Sequence, residues 1–213
     1  MFPLPLRSVP EFECRLEATW CQRRSWIRRR DALALGLGML GLRSHEILRV
    51  RFEDLDVRAE LLYVRSAKKG INRRIPVGMS WANCAREHGE YVRTFCPPTK
   101  SNRRGLLFLT GKGEPLAYEG LLRTCKRWTF AVFDRAYTLH CLRHTAAVRL
   151  YEATGSVLEV NRLLGHRSLQ WTSDYLRSLD GRYRTGLASF VYGEVNKEVR
   201  LYDPEELAIG KVG

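Results

Sequence analysis

Apolar residues run almost without interruption from Asp31 to Leu40, and this run predicts a buried helix rich in alanine and leucine that ends near Gly41. A short amphipathic helix is predicted from Ser44 to Val50, with Ser44 as the candidate N-cap. Residues 1–25 contain prolines and mix polar with apolar positions. The first fifth of the chain therefore changes from a mixed segment to a helical one.

The hydrophobic period changes after residue 60, where two short runs predict β-strands, Leu61–Arg65 and Arg74–Val77. The polar residues 68–72 lie between them, so the two strands are expected to form a small hairpin. Pro76 lacks a backbone donor, which favours an edge position for the second strand. A helix is then predicted over 80–95, with Ser80 as a candidate cap.

The second half of the chain is predicted to be largely helical. After a loop over 97–105 and a short extended piece over 106–109, helical patterns cover four stretches, 117–135, 140–153, 157–164 and 169–178. A further helix is predicted over about 182–192, followed by a mixed tail. The expected fold class is mainly α with a small antiparallel β-sheet.

The composition is typical of a soluble globular domain, with 213 residues of which 45% are hydrophobic and 28% charged. The longest apolar run, 32–42, has 11 residues and three glycines, which is too short to span a bilayer. No charged leader followed by a long apolar stretch indicates a signal peptide, so a cytoplasmic location is expected.

The chain carries a large positive excess, with a net charge of +13 and a pI near 9.8. This charge favours a polyanionic partner, DNA or RNA first, while a ribosome-associated or merely solvated basic surface is the alternative. The basic run 23–30 fits either a DNA-facing segment or a solvated helix start. The six cysteines form no Cys-x-x-Cys pair and are expected to be reduced thiols, with no structural metal site.

The candidate chemistry lies in three short clusters of basic side chains, the last ending in a tyrosine: Gly41–Glu46, His140–His144 and Leu163–Tyr175. With a lysine from the predicted hairpin, they supply two arginines, two histidines, one lysine and one phenol. Cleavage of a phosphodiester by an enzyme nucleophile needs positive charge on the non-bridging oxygens and an acid for the leaving alkoxide. Arginine can supply that charge in place of a metal ion, so the set suits metal-independent cleavage of a nucleic-acid strand.

Each cluster alone has an ordinary structural explanation. His140 and Arg143 are spaced i, i+3 and share one helix face, which is most often only a basic face. His166 after Gly165 is commonly a capping or packing residue. Tyr175 alone is most often a half-buried core residue. Its phenol has a reference pKa of about 10, so attack at neutral pH requires local positive charge or a base. Only the combination is specific.

Taken together, the clusters resemble the motifs of the catalytic domain of the tyrosine recombinases, also called the phage integrase family, from about Asp31 to Leu179. Residues 41–46 (GLRSHE) look like the family's first arginine motif, and residues 139–147 (LHCLRHTAA) look like its HxxR box. Residues 163–175 look like its LGH…Y box, with the nine-residue interval between histidine and tyrosine kept. The resemblance implies the fold and the activity of that domain.

The resemblance assigns a catalytic role to six residues, Arg43, Lys68, His140, Arg143, His166 and Tyr175. Tyr175 would attack the scissile phosphate, form a 3′-phosphotyrosyl bond and release a 5′-hydroxyl. Arg43 and Arg143 would bind the non-bridging oxygens, and Lys68 would be the general acid on the 5′ oxygen. The family pattern of lysine, glycine-containing turn and Arg-x-Val-Pro favours Lys68 over Lys69, and only one of the two neighbours can point inward from a strand.

The resemblance also implies supporting roles and partners. His140 would assist proton transfer, His166 would donate a hydrogen bond to the phosphate, and Glu46 would orient an arginine or histidine from behind the site. No cofactor or metal is implied. The covalent bond conserves the phosphodiester energy, so religation needs no ATP. The implied partner is double-stranded DNA at the nucleoid. The protein is expected to be a monomer in solution and to form a homotetramer on synapsed DNA.

Three segments are expected: an N-terminal basic segment over 1–30, a catalytic DNA breaking and rejoining domain over 31–180, and a C-terminal helix and tail over 181–213. The family's usual separate N-terminal DNA-binding domain has no counterpart here, which is expected of either a short recombinase or a piece of a longer one. Fewer phosphate contacts then predict weak, salt-sensitive binding by the monomer. The C-terminal segment is expected either to dock into a neighbouring subunit, or to pack back in cis or be disordered.

Two other classes fit the sequence in part. A type IB topoisomerase uses similar chemistry but usually has lysine where this chain has His140. A DNA-binding regulator derived from a recombinase would keep the fold without the activity, and the presence of all six expected residue types argues against such decay.

Overall fold

The computed structural model describes residues 3–22, 25–65, 71–96, 105–170 and 172–173. Its helices are α1 (Val9–Trp20), α2 (Trp26–Met39), α3 (Ser44–Ile47), α4 (Met79–Phe95), α5 (Tyr118–Phe133), α6 (Leu139–Thr154) and α7 (Val157–Leu164). Its strands are β1 (Leu55–Asp56), β2 (Leu61–Val64) and β3 (Arg73–Pro76), and 3₁₀ turns cover Leu6–Ser8 and Phe52–Asp54. The predicted fold class, mainly α with a small antiparallel sheet, is confirmed.

Helix α2 lies at the centre of the molecule and is buried on every side from Ala32 to Met39. It packs against α1, α4, α5 and α6, which explains why its sequence is apolar on every face. A Cβ at Gly38 would lie 3.0 Å from the side chain of Leu142, so this glycine lets α6 approach closely. The predicted buried helix is therefore confirmed, and it carries the first arginine motif at its C-terminal end.

The basic run ahead of this helix is not a separate exposed segment, because α2 begins at Trp26, five residues earlier than predicted. Arg29 and Arg30 are buried in its first turns. Arg30 donates from Nε to the Asp31 carboxylate at 2.9 Å and from Nη1 to the Leu109 carbonyl at 2.8 Å. Neither alternative considered for the run describes these two arginines, since they form intramolecular contacts instead of facing DNA or solvent.

Helix α1 was not predicted from the sequence. Val9, Phe12 and Leu16 form its buried stripe, and Trp20 at its end packs against the same core. The backbone N–H of Leu4 donates to Thr145 Oγ1 at 2.8 Å, which ties the start of the chain to α6. Residues 3–20 are therefore packed on the same core as α2.

The three strands form one antiparallel sheet in the order β1-β2-β3. Leu61 pairs with Pro76 and Val64 with Arg73, so the predicted hairpin is confirmed, and Pro76 lies on an edge strand as predicted. Buried residues of the hairpin, Leu62, Val64 and Ile75, join the core beside α4. This register places Arg73 at the start of β3, next to the end of α7.

Both predicted serine caps are wrong. Ser44 is the first residue of α3, and the cap is made by the Glu46 carboxylate, which accepts from the backbone N–H of Arg43 at 2.8 Å. Ser80 lies inside α4, whose N-cap is Gly78 at φ +74°. The hydroxyl of Ser80 instead accepts from Trp20 Nε1 at 3.2 Å. This contact joins α4 to α1, so no local sequence pattern could predict it.

The helices of the second half agree with the prediction to within two residues, and α7 agrees at both ends. Residues 169–170 and 172–173 are helical and begin the predicted helix over 169–178. The rest of that helix, the predicted helix near 182–192 and the tail lie outside the described residues. Within the part of the chain that the structure describes, no helix has the length and apolarity to cross a membrane.

Candidate active site

Glu46 is the centre of the site, and its carboxylate is fully buried. Arg73 reaches it from β3 through two parallel hydrogen bonds, Nη1–Oε1 at 2.9 Å and Nη2–Oε2 at 3.0 Å. Arg43 Nη1 lies 3.3 Å from Oε1, and Arg143 Nη1 lies 3.8 Å from Oε2. Burial alone would raise the pKa of Glu46, but the hydrogen bonds and charge of Arg73 outweigh burial and hold that pKa below its usual value. Glu46 is therefore an ionised carboxylate shared by three arginines.

The last turn of α7 supplies backbone carbonyls to the same three arginines. Arg143 Nη2 donates to Leu164 O at 2.7 Å, and Arg43 Nη1 donates to the same oxygen at 3.2 Å. Arg73 Nε donates to Leu163 O at 2.6 Å. Carbonyls in a last helical turn have no partner within the helix and carry the negative end of its dipole, so they attract guanidinium groups. The end of α7 thus gathers arginines from three different elements.

Gly165 is required at this position for two reasons. It ends α7 with φ +62°, a conformation that side chains disfavour. A Cβ on it would also lie 2.8 Å from Arg73 Nη1, so a larger residue would displace the guanidinium that holds Glu46. The glycine of the Leu-Gly-His motif therefore makes room for the arginine of β3.

Positive charge exceeds negative charge in this cluster. Arg73 and Arg143 each expose 7% of the side chain, whereas Arg43 exposes 30% and forms the open side of the cluster. Burial, followed by the charge of Arg43, lowers the pKa of Arg143 to about 9, so Arg143 remains charged at neutral pH. Burying unpaired charge is costly, so a bound anion would offset the excess positive charge of this cluster.

His166 follows α7 directly and joins the site through Arg143. Its Nε2 lies 3.2 Å from Arg143 Nη2, and its Nδ1 lies 2.9 Å from Thr172 Oγ1. Burial first, and then the charges of Arg143 and Arg43, lower the pKa of His166 to about 4. The imidazole is therefore neutral at pH 7 in the protein alone, and Nε2 accepts a hydrogen bond from Arg143.

His140 lies on the exposed side of α6, one helical turn before Arg143. Partial desolvation, followed by the charge of Arg143, lowers the pKa of His140. A neutral imidazole beside the arginine cluster can accept a proton, which is the role expected of His140.

The structure brings together five of the seven predicted site residues: Arg43, Glu46, His140, Arg143 and His166. The other two, Lys68 and Tyr175, lie outside the described residues, as does Lys69. Sequence reasoning missed three side chains that belong to the arrangement, Arg73, Asn161 and Thr172. The arginine had a signal, because Arg73 matches the arginine of the family pattern Arg-x-Val-Pro, just before the predicted strand, whereas the other two had none.

The arrangement can bind and polarise an anion. It offers guanidinium groups in a largely buried setting, an exposed edge at Arg43 and a neutral histidine whose Nε2 faces the arginines. Within the described ranges, no three His, Cys, Asp or Glu side chains come together in a group that could hold a metal ion.

Comparison with known proteins identifies one family. The sequence model of the phage integrase family matches residues 18–182. Tyrosine recombinase XerC 2 of Ralstonia nicotianae is 30% identical over 177 residues, which cover 81% of this chain and 49% of the relative. Type 1 fimbriae regulatory protein FimB of Escherichia coli K12 is 26% identical over 151 residues, covering 67% of this chain and 70% of FimB. The chain thus spans about half the length of the XerC relative.

Solved structures show the same fold. The site-specific recombinase XerH, in a pre-cleavage complex with its difH substrate, superposes with a TM-score of 0.68 at 20% identity, over 90% of this chain and 53% of XerH. The XerA recombinase superposes with a TM-score of 0.63 at 19% identity, over 82% of this chain and 63% of XerA.

Proposed function

This chain belongs to the phage integrase family, and from that premise we propose that it is the DNA breaking and rejoining part of a site-specific DNA recombinase. The observation that carries the proposal is the buried surplus of positive charge around Glu46, where three guanidinium groups meet one carboxylate beside His166. A phosphodiester carries one negative charge and gains more on its oxygens in the transition state of cleavage. The cluster has the charge that such a group requires.

The proposed reaction is a transfer of the phosphoryl group between two oxygens. The phenol oxygen of Tyr175 forms a bond to phosphorus while the bond to the 5′ oxygen breaks, which leaves a 3′-phosphotyrosyl link and a 5′-hydroxyl. Lys68 gives its proton to the departing oxygen, and His140 takes the phenol proton. Religation is the reverse transfer by a 5′-hydroxyl, so it needs neither ATP nor a cofactor.

The residues that the structure describes would stabilise the negative charge on the phosphate during this reaction. Arg43 and Arg143 bind the non-bridging oxygens, and His166 donates to the same phosphate. Glu46 orients the arginines from behind, since it contacts all three of them and has no exposed side-chain surface. Preorganised donors of this kind typically contribute a factor of about 10²–10³ each to the rate.

The proposed unit for this chemistry covers residues 31–180, with α1 of the N-terminal segment packed against it. Residues 181–213 are proposed to exchange between subunits of a homotetramer on two synapsed DNA duplexes. The proposed partner is double-stranded DNA at the nucleoid, which the net charge of +13 supports.

The experiment is covalent trapping with nicked duplexes cut from the DNA that flanks the gene. Cleavage next to a nick releases a short fragment that diffuses away, so the phosphotyrosyl link cannot reverse and a protein–DNA adduct accumulates. Wild type is expected to form the adduct and Tyr175→Phe to form none. An adduct that persists in Tyr175→Phe would exclude Tyr175 as the nucleophile.

The acid is tested with a duplex in which sulfur replaces the bridging 5′ oxygen. A thiolate leaves without help from an acid, so Lys68→Ala is expected to cleave this duplex near the wild-type rate and the ordinary duplex slowly. Lys69→Ala is the matched control and is expected to resemble wild type on both. If Lys69→Ala shows the rescue instead, the assignment belongs to Lys69.

A DNA-binding regulator is the second candidate, because one relative, FimB, is a regulatory protein by name. This candidate predicts DNA binding by the wild-type chain with no adduct on any nicked duplex. Relaxation of plasmids without a special site would indicate a topoisomerase instead.

A further inference from the structure

A chain of hydrogen bonds links the turn after α7 to the helical residues 169–173. Arg143 Nη2 lies 3.2 Å from His166 Nε2, and His166 Nδ1 lies 2.9 Å from Thr172 Oγ1. Thr172 Oγ1 donates to Asn161 Oδ1 at 2.7 Å, and Asn161 Nδ2 donates to the backbone carbonyl of His166 at 3.1 Å. Thr172 is completely buried, so its hydroxyl is held in this network.

The direction of each bond follows from what each atom can donate. The backbone carbonyl of His166 can only accept, so the amide nitrogen of Asn161 faces it and Oδ1 faces Thr172. The single hydroxyl proton of Thr172 then points to Asn161, which leaves the hydroxyl to accept from His166. The proton of the neutral imidazole is therefore on Nδ1, and the lone pair is on Nε2 towards Arg143, which can only donate.

We propose that Asn161 and Thr172 are positioning residues that hold His166 in its Nδ1–H form, so that Nε2 takes up a proton when a phosphate anion enters the arginine cluster. The proposal rests on the proposed function, because it assigns the proton state of a residue in that site. Without this fixed tautomer, His166 in the Nε2–H form would present a donor to Arg143 and could not accept from it.

The charged groups around His166 decide when the proton arrives. Arg143 on α6, Arg43 before α3 and Arg73 on β3 disfavour a positive imidazole, and Glu46 favours it. With no anion bound, burial and these arginines hold the pKa of His166 down to about 4. An anion between Arg43 and His166 cancels part of the positive charge and can accept from Nε2–H, so both effects favour protonation. His166 then changes from an acceptor for Arg143 to a donor for the phosphate.

The first test reads the tautomer directly by long-range ¹⁵N–¹H correlation spectra of the uniformly ¹⁵N-labelled chain. His166 is expected to show the Nδ1–H pattern. His88 is an internal reference of opposite tautomer, because its buried ring donates from Nε2 to the Leu107 carbonyl at 3.1 Å. Thr172→Ser keeps the hydroxyl and is expected to keep the His166 pattern, whereas Thr172→Val is expected to lose it.

The second test adds sodium sulfate as the anion, with sodium chloride of equal ionic strength as the control. Sulfate does not titrate near neutral pH, so a change in protonation belongs to the protein. The pKa of His166 is expected to rise by roughly one unit or more with sulfate, as for a group that gains an opposite charge nearby. The pKa of His88 is expected to stay unchanged, and Thr172→Val is expected to weaken the response of His166. Thr94→Val, which alters an exposed threonine on α4, is the control for loss of a hydroxyl.

The outcomes separate this inference from the proposed function. An Nε2–H tautomer at His166 in wild type, or an unchanged tautomer in Thr172→Val, overturns the inference even if covalent trapping succeeds. Failure of trapping with a correct tautomer overturns the proposed function instead. If Thr172→Val does not fold, Asn161→Asp supplies the second variant. Its carboxylate keeps an acceptor for Thr172 and removes the donor to the His166 carbonyl, so the tautomer is expected to survive with a less ordered ring. A lost Nδ1–H pattern in a folded Asn161→Asp chain overturns the inference.

Discussion

Two buried clusters of arginine and carboxylate lie at opposite ends of α2, and they differ in balance. At the N-terminal end, Arg30 and Asp31 form a buried pair, and the second arginine, Arg127, exposes 69% of its side chain. Beyond the C-terminal end, Glu46 contacts two buried arginines and one that is partly exposed. The same residue types therefore make a structural pair at one end and the proposed anion site at the other. In this proposal, surplus buried charge distinguishes the functional end, since arginine is present at both ends.

The largest expected difference is between Arg143→Ala and Arg30→Ala, two arginines that expose 7% and 9% of the side chain. Arg143→Ala is expected to slow covalent adduct formation by about 10²–10³ in single-turnover assays, because it removes a donor to the phosphate. Arg30→Ala leaves Asp31 with one buried partner fewer and is expected to lower the free energy of unfolding by about 3–5 kcal/mol. The rate of adduct formation per folded molecule of Arg30→Ala is expected to match wild type. A large loss of this rate in Arg30→Ala would contradict the distinction between the two ends of α2.

The carboxylates give the second comparison, measured by urea unfolding. Glu46→Gln and Asp31→Asn are each expected to lower the free energy of unfolding by about 3 kcal/mol or more, since buried arginines lose their counter-charge. Only Glu46→Gln is expected to slow adduct formation as well.

Glu46 also predicts a pH dependence. Because the pKa of Glu46 is lowered on folding, its stabilisation is complete above the unfolded value near ~4.5 and is lost as the pH falls through the lower folded value. Glu46→Gln is expected to lack this part of the acid limb of the stability curve, and an unchanged acid limb would contradict the charged state assigned to Glu46.

Anion binding gives a smaller effect, read from thermal unfolding in sulfate against chloride of equal ionic strength. Sulfate at roughly ten times its dissociation constant is expected to stabilise wild type by about 1.4 kcal/mol beyond the chloride control. Arg43→Ala removes the partly exposed arginine of the Glu46 cluster and is expected to abolish this difference. Arg127→Ala removes the exposed arginine of the Asp31 cluster and is expected to keep it. Equal responses of the two variants would mean that sulfate acts elsewhere.

The effect expected to be smallest at pH 7 concerns His166, and His88 is its comparison, because the pKa of both histidines is lowered to about 4. The unfolded chain binds more protons than the folded chain between pH 4 and the unfolded value near ~6.5, so stability rises with pH across that window. His166→Gln is expected to reduce this rise of the free energy of unfolding with pH, and to change the free energy of unfolding little at pH 7. His88→Gln is expected to lower stability at every pH, because His88 is completely buried among aromatic rings. Stability curves at several pH values measure both.

Local signals in the sequence were sufficient for much of the fold. Helix α7 begins after Ser156, whose hydroxyl accepts from the Glu159 backbone, and ends at Gly165, so its bounds follow from chemistry within ten residues. Helix α1 has start signals in Ser8, its N-cap, and in Pro10 and Glu11 of its first turn, but its three buried residues are separated by charged ones, which hid the apolar stripe. Ser44 is not the cap because α3 begins one residue earlier than expected, with Arg43 as its N-cap, and the backbone N–H groups of Glu46 and Ile47 donate to the Arg43 carbonyl.

The sequence by itself determined which kinds of side chain are present, at which intervals, and therefore the family of the chain. Spacing alone keeps Arg43 beside Glu46, and His140 on the helical turn before Arg143. Only the tertiary structure decided which arginines share a carboxylate, since Arg73 meets Glu46 across 27 residues and Arg43 meets the Leu164 carbonyl across 121. The physical reason is that burial and charge balance are properties of the folded neighbourhood. The sequence does not show the charge balance around Arg30 or Arg143. In the folded chain Arg30 is paired with a single carboxylate, whereas Arg143 lies in a cluster whose excess positive charge an anion would offset.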